Sequence, residues 1–211
     1  MTGTTHKEFS ITFTCLAIMF IYNHSISGIN YYFIMIIMLS IAVKGAYFPD
    51  VDHHWKAVKE KTVFNYIINK LIHITGGKHR SKHTHSIEIC ALTGILLYYG
   101  LKIGYEKELI TNLNYEVALI ILLSFYSGWI SHLFSDMLTT GKVWLFGKKI
   151  GFVPKKIGKL KFTTGMDNVW EYTVYKFIYK FNWVLSLITL IYPLLIDERL
   201  TQTIMKMIRS A

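Results

Sequence analysis

Most of the histidines and aspartates of this chain gather in four short groups whose spacing suits metal coordination. His6 stands near the start of the chain. Asp50-Val51-Asp52-His53 follows Pro49, which stiffens the turn and can aim both carboxylates into one site. His79-Arg80-Ser81-Lys82-His83-Thr84-His85-Ser86 is a basic loop, so a cation there needs neutral imidazoles and nearby carboxylates. His132 and Asp136 are four residues apart and share one face of a helix. Nitrogen and oxygen ligands without Cys suit a divalent ion, zinc first, with manganese or iron as alternatives; several carboxylates allow a two- or three-metal cluster. A single His at a helix end is more often interfacial or hydrogen-bonded than a ligand, which is the reading for His24 and His73. Asp-x-Asp alone could be a helix cap and turn. Four such groups at one end of a structure would point to metal.

The elements that must position them are apolar. Five segments stand out: Phe9 to Tyr22, Ile29 to Phe48, Ile87 to Leu101, Val117 to Phe134 and Trp183 to Ile196. The second and fourth approach the roughly 20 residues that cross a bilayer, and the others are nearer to short spans or interfacial helices. Open strands cannot cross lipid, so the expected fold is all-α, a polytopic bundle of about four to five apolar helices forming one domain over residues 1–211.

Charge orients the helices. Of 23 Lys and Arg, seven lie between Pro49 and Ser86 and nine between Ser135 and Asn182, whereas the connection from Asn23 to Gly28 has none. The positive-inside rule makes both basic loops cytoplasmic and places the N-terminus inside. Lys44 can snorkel to that interface. The fifth segment would leave Arg199, Lys206 and Arg209 outside, and a surface-lying amphipathic helix is the alternative. All four His/Asp groups then fall at the cytoplasmic helix ends, although orientation was read from Lys and Arg alone.

Composition excludes other classes. A net charge of +10 with 52% hydrophobic residues and 14 Tyr, 13 Phe and 5 Trp is foreign to disorder. No recognition-helix or zinc-finger pattern accompanies the charge, so no specific nucleic acid is expected. Cys15 and Cys90 lie in apolar segments and read as small buried residues. Met1 to Ser10 precede no small-residue cleavage site, and no cleaved signal peptide is expected.

The order His6, then Phe-Pro-Asp-Val-Asp-His at 48–53, then His79-Arg80 with Thr84-His85-Ser86, then Gly128-Trp-Ile-Ser-His-Leu-Phe-Ser-Asp-Met-Leu-Thr-Thr-Gly141, resembles the YdjM family of membrane-bound metal-dependent hydrolases. The similarity runs from about His6 to Glu171. The family is in turn distantly similar to zinc-dependent phospholipase C and P1-type nucleases. By position, the resemblance implies metal or near-metal roles for His6, Asp50, Asp52, His53, His79, His85, His132 and Asp136. Thr164-Gly165-Met166-Asp167 with Trp170-Glu171 adds Glu171. Two departures bear on the site. Three residues rather than two separate the His-Arg and Thr-His-Ser pieces, so His83 could stand in for His79 or His85. Gly147 replaces a Pro near Phe146.

The expected chemistry is hydrolysis of a phosphoester or phospholipid-like substrate at the cytoplasmic face of an inner membrane. One of Asp50 and Asp52 would hold or deprotonate a water while the other ligates. Arg80 would clamp phosphate, Thr84 and Ser86 would donate further hydrogen bonds, and Ser86 has a simpler role as a helix cap. Membrane lipid and an amphiphilic or phosphorylated small molecule are the expected partners. The alternatives are a membrane protein that binds or transports metal, with ligands at mid-span, and a structural protein that uses its basic loops.

Overall fold

The computed structural model describes residues 3–25, 29–139, 142–153, 156–157, 160–161, 168–196 and 206. Thr140, Gly141, the element at 164–167, Arg199, Arg209 and the side chain of His24 lie outside the described residues. Six helices carry the fold: α1 (Gly3–Ser25), α2 (Ile29–Tyr47), α3 (Val63–Ile74), α4 (Ile87–Glu106), α5 (Asn112–Met137) and α6 (Val169–Ile196). Short 3-10 turns at Pro49–Asp52 and Trp55–Ala57 follow α2. Two small antiparallel hairpins, β1 (Val143–Leu145) with β2 (Lys148–Ile150) and β3 (Lys156–Ile157) with β4 (Leu160–Lys161), stand between α5 and α6. Gly147 belongs to the first hairpin turn, where Phe146 and Gly147 take φ of 45° and 75°. A two-residue hairpin turn of this kind needs positive φ at both positions, which a proline cannot adopt.

Four helices are long and apolar enough to cross a membrane, over Tyr31–Asp52, Ile87–Glu106, Asn112–Met137 and Val169–Leu195. The apolar stretch from Phe9 to Tyr22 belongs to α1, which packs on α2, α5 and α6. That helix turns Thr5, His6, Glu8, Ser10, Thr12 and Thr14 inward. Their polar groups meet partners there: Thr12 donates to Asn182 Oδ1, Asn182 Nδ2 donates to Glu8 Oε2 at 2.8 Å, and Thr14 and Ser127 hydroxyls lie 3.0 Å apart. Side-chain hydrogen bonds of this kind join helices where water is scarce.

The fifth apolar segment proves to be the second half of a longer helix. α6 begins at Val169, and the pairs Thr5–Glu171, Thr12–Asn182 and Cys15–Ser186 show it running parallel to α1. It is therefore part of the bundle, and the surface-lying alternative for Trp183 to Ile196 is corrected. Lys176 and Lys180 interrupt the apolar run in the sequence, yet both are exposed on one face, where long aliphatic stems leave the ammonium groups free to reach water.

The backbones of α2 and α5 approach closely at two glycines. A Cβ on Gly128 would fall 1.9 Å from the Ala42 carbonyl oxygen, and one on Gly45 would fall 2.0 Å from the Phe125 carbonyl oxygen. Small residues let membrane helices approach this closely. Beside this contact, Cys90, Trp129, Leu133 and Val143 form an apolar cluster, and Val51, Val58 and Ile72 form another beneath α3.

The helix α3 lies inside what the sequence presents as one long basic loop. Thr62 caps it, accepting from the Asn65 amide. Its signal was available as Val63, Ile67, Leu71 and Ile74 at helical spacing, but twelve residues are too few to register as a span.

Candidate metal centre

Each His/Asp group is carried by a different element, and all meet at one end of the bundle. The first turn of α1 supplies His6, the 3-10 turn after α2 supplies Asp50 and Asp52, the loop before α4 supplies His79 to His85, and the last turns of α5 supply His132 and Asp136. Three sets have ligand atoms within 4.8 Å of one another: His6, His132 and Asp136; Asp50, His85 and His132; and Asp50, His53 and His79. The first two sets share His132 and the last two share Asp50. The result is a row of overlapping triads.

Hydrogen bonding decides which nitrogen of each ring is available. His132 Nδ1 lies 2.7 Å from the Ala46 carbonyl, which can only accept, so the proton is on Nδ1 and Nε2 carries a lone pair. The acceptor exists because Ala46 sits in the last turn of α2, where carbonyls lack helical partners. His85 Nδ1 donates to Asp52 Oδ2 at 3.1 Å. The hydroxyl of Ser135 donates to the His132 carbonyl, so the short His6 Nδ1 contact with Ser135 places the proton on His6 Nδ1. His79 Nδ1 donates to Asp52 Oδ1 at 3.1 Å.

The freed nitrogens converge. His85 Nε2 and His132 Nε2 are 3.3 Å apart, each on the ring edge opposite its committed N–H. His85 Nε2 is 3.7 Å and His132 Nε2 3.8 Å from Asp136 Oδ2, and His6 Nε2 is 3.7 Å from Asp136 Oδ1. Asp50 Oδ1 lies 4.0 Å from His85 Nε2 and 3.9 Å from His132 Nε2. Facing lone pairs repel, whereas a cation between them is attracted by both, and the carboxylates balance its charge. Metal-ligating histidines typically donate their other ring N–H to a carboxylate or carbonyl, as here. The donor set fits a divalent metal.

Asp52 occupies a different place from Asp50. It is fully buried, belongs to none of the three sets, and accepts from Thr84 Oγ1 at 2.7 Å and the Ser81 amide at 3.0 Å besides the two rings. Its carboxylate is occupied in orienting the loop that bears His79 and His85. Asp50 is 23% exposed and stands at the rim.

Arg80 Nη2 donates to Asp136 Oδ1 at 3.3 Å. Its backbone has a φ of 60° and its carbonyl accepts from the Trp144 indole at 3.0 Å. The Trp129 indole donates to the Thr84 carbonyl, and the Trp144 amide to that of His85, so two tryptophans pin the loop from both sides. Thr84 is directed at Asp52, and Ser86 caps α4 by accepting from the Ile89 amide.

The remaining histidines separate cleanly. His53 stacks on His79 with ring centroids 3.6 Å apart, and partial burial, reinforced by His79, lowers its pKa below the ordinary 6.5. His83 turns outward, 3.3 Å from the Thr75 hydroxyl, so it does not replace His79 or His85. His73 contacts the Gly77 carbonyl at the end of α3. Glu171 is buried at the start of α6 and accepts from Thr5 at 2.9 Å; it is outside the three triads but beside the neighbour of His6.

An apolar cavity of about 1420 Å³ opens next to this end of the bundle. It runs along α4 and α5, with Phe33, Ile34 and Ile37 of α2 also lining it, from Leu133 and Met137, which flank His132 and Asp136 in sequence, towards Leu113 and Glu116.

Four helices able to cross a membrane, joined to a buried His/Asp array able to hold metal, define a polytopic membrane protein with a candidate metal centre at one helical end. The chain belongs to the YdjM inner membrane protein family, whose pattern matches residues 1–201. No curated protein and no solved structure matches it.

Proposed function

We propose that this inner membrane protein is a metal-dependent hydrolase that cleaves a phosphoester in an amphiphilic, phospholipid-like substrate at the cytoplasmic face. The observation that carries the reading is the convergence of the Nε2 atoms of His85 and His132, 3.3 Å apart and ringed by Asp50 and Asp136. His6, Asp50, His53, His79, His85, His132 and Asp136 would hold the metal, with zinc favoured by the nitrogen and oxygen donors and manganese or iron as alternatives. Overlapping triads suit more than one ion. A bound divalent ion supplies Lewis acidity and lowers the pKa of water.

The protein's own groups then have distinct tasks. Asp50, the most exposed of the three site carboxylates, would receive the proton of the attacking water on the oxygen it does not give to metal, as the water oxygen bonds to phosphorus. The phosphorus–oxygen bond to the leaving group breaks, and that proton passes to the departing oxygen. Arg80 uses the guanidinium donors left over from Asp136 to hold phosphate oxygens. Asp52 orients His79 and His85, and Glu171 steadies the start of α1 through Thr5. The cavity between α4 and α5 accepts a hydrocarbon chain while the headgroup reaches the site.

The test is metal analysis of purified protein joined to a phosphoester and lipid-extract screen, comparing wild type with Asp50→Asn. Metal-dependent turnover that Asp50→Asn abolishes is expected; no turnover with any added metal overturns the hydrolase reading.

One observation favours metal transport as a second reading. A polar seam of buried Glu8, Thr12, Thr14 and Asn182, joined by half-buried Ser127, continues from the site end into the bundle. Metal flux into proteoliposomes that Glu8→Gln slows would support it.

A further inference from the structure

The helix α3 buries two asparagines together with Ile72 and bares an apolar stripe. Asn65, Asn69 and Ile72 face the protein, whereas Val63, Phe64, Ile67, Leu71 and Ile74 face away, Val63 being 78% and Ile74 80% exposed. At about 100° per residue those five occupy an arc of about 100°, the width of an apolar stripe that seeks an apolar partner. Lys70 borders the arc with its ammonium 5.6 Å from the Tyr66 ring centroid. Lys56, Lys59, Lys61 and Lys78, in the segments on either side of α3, are exposed as well.

Position in the fold says what covers this face. The chain enters α3 after leaving the candidate span of α2 and leaves it just before entering that of α4, so α3 stands where two spans reach the membrane boundary. Its bare stripe therefore stands near that boundary, and its lysines match anionic headgroups. Seating a second copy on the stripe by a two-fold contact would bring the same lysines together.

We propose that α3 lies in the lipid interface at the site end of the bundle, with Val63, Phe64, Ile67, Leu71 and Ile74 among the acyl chains and its flanking lysines at anionic headgroups. The inward side of α3 gives this seating a consequence. Asn69 Nδ2 donates to the carbonyls of Val51 and His53, the latter at 2.8 Å, so the segment bearing Asp50, Asp52 and His53 is tied to the helix in the interface. The ligand segment is thereby held at headgroup depth. The seating does not depend on whether the centre hydrolyses anything.

Nitroxide labels on Ile67→Cys, Leu71→Cys and Lys70→Cys, in a Cys15→Ser, Cys90→Ala background and in phosphatidylethanolamine–phosphatidylglycerol proteoliposomes, test this. Collision with oxygen relative to chromium oxalate should be several-fold higher at positions 67 and 71 than at 70. Preference for chromium oxalate at all three positions overturns the proposal, because α3 would then stand in water. Spin–spin broadening at 67 and 71 that disappears on dilution with unlabelled protein also overturns it, in favour of a second copy. Labels that keep their depth when the anionic lipid is replaced by phosphatidylcholine refute the role given to the lysines.

Discussion

His85 and His132 face each other through Nε2 atoms 3.3 Å apart, each with its proton committed to the opposite side of the ring, to Asp52 and to the Ala46 carbonyl. A cation between them replaces repulsion by attraction. Purified wild type should therefore retain transition metal, and His132→Ala with Asp136→Ala should lose it. Elemental analysis at matched protein concentration measures this; equal metal in both proteins would remove the site assignment.

Asp52 and Asp50 should respond differently to loss of charge. Asp52→Asn keeps the shape but weakens acceptance from His79 and His85, and metal affinity should fall about 10–100-fold, as for other orienting partners. Asp50→Asn removes a carboxylate shared by two triads and should lower the number of ions bound. Titration with a competing chelator separates a change of affinity from a change of stoichiometry.

Gly128 links helix packing to the site. In Gly128→Val the side chain meets the Ala42 carbonyl, so α5 must move away from α2 and His132 loses its hold on Ala46. Overpacking of this kind costs at least about 1–3 kcal/mol. A lower thermal midpoint in detergent together with reduced metal content is expected; a lower midpoint with full metal content would show that the close approach serves packing alone.

Substrate chain length offers a kinetic readout. If the cavity between α4 and α5 takes the hydrocarbon tail, short-chain phosphoesters should be poorer substrates than long-chain ones. Leu133→Trp, which narrows the end nearest the site, should reduce the preference for long chains. Equal kcat/KM across chain lengths would place the tail elsewhere.

Orientation has a direct check. Reporter fusions at Lys61 and Lys148, in the two basic connections, should report the cytoplasm. A periplasmic signal at either position would reverse the face on which the centre opens.

Much of this protein is visible in one dimension because its periodicities and charges are local. Apolar run length marks α2, α4 and α5, and the Lys/Arg asymmetry is enough to send the four His/Asp groups to the same end, where the structure brings them together. Two helical elements escaped for physical reasons. Lys176 and Lys180 hide the first half of α6, since a linear reading cannot see that both point away from the bundle. In α3, a twelve-residue apolar stripe is shorter than a span and is embedded in a basic loop.

The sequence by itself determined that the chain is a membrane bundle and which residue types could bind metal, because hydrophobicity and ligand chemistry belong to the residues. Only the tertiary structure decided which of them face one another: that Asp50 stands in the row and Asp52 behind it, that His79 and His85 reach Asp52 while His83 does not, and that Ala46 supplies the acceptor for His132. Those distinctions depend on side-chain direction and on hydrogen bonds between residues far apart in the chain, and neither is set until the helices have packed.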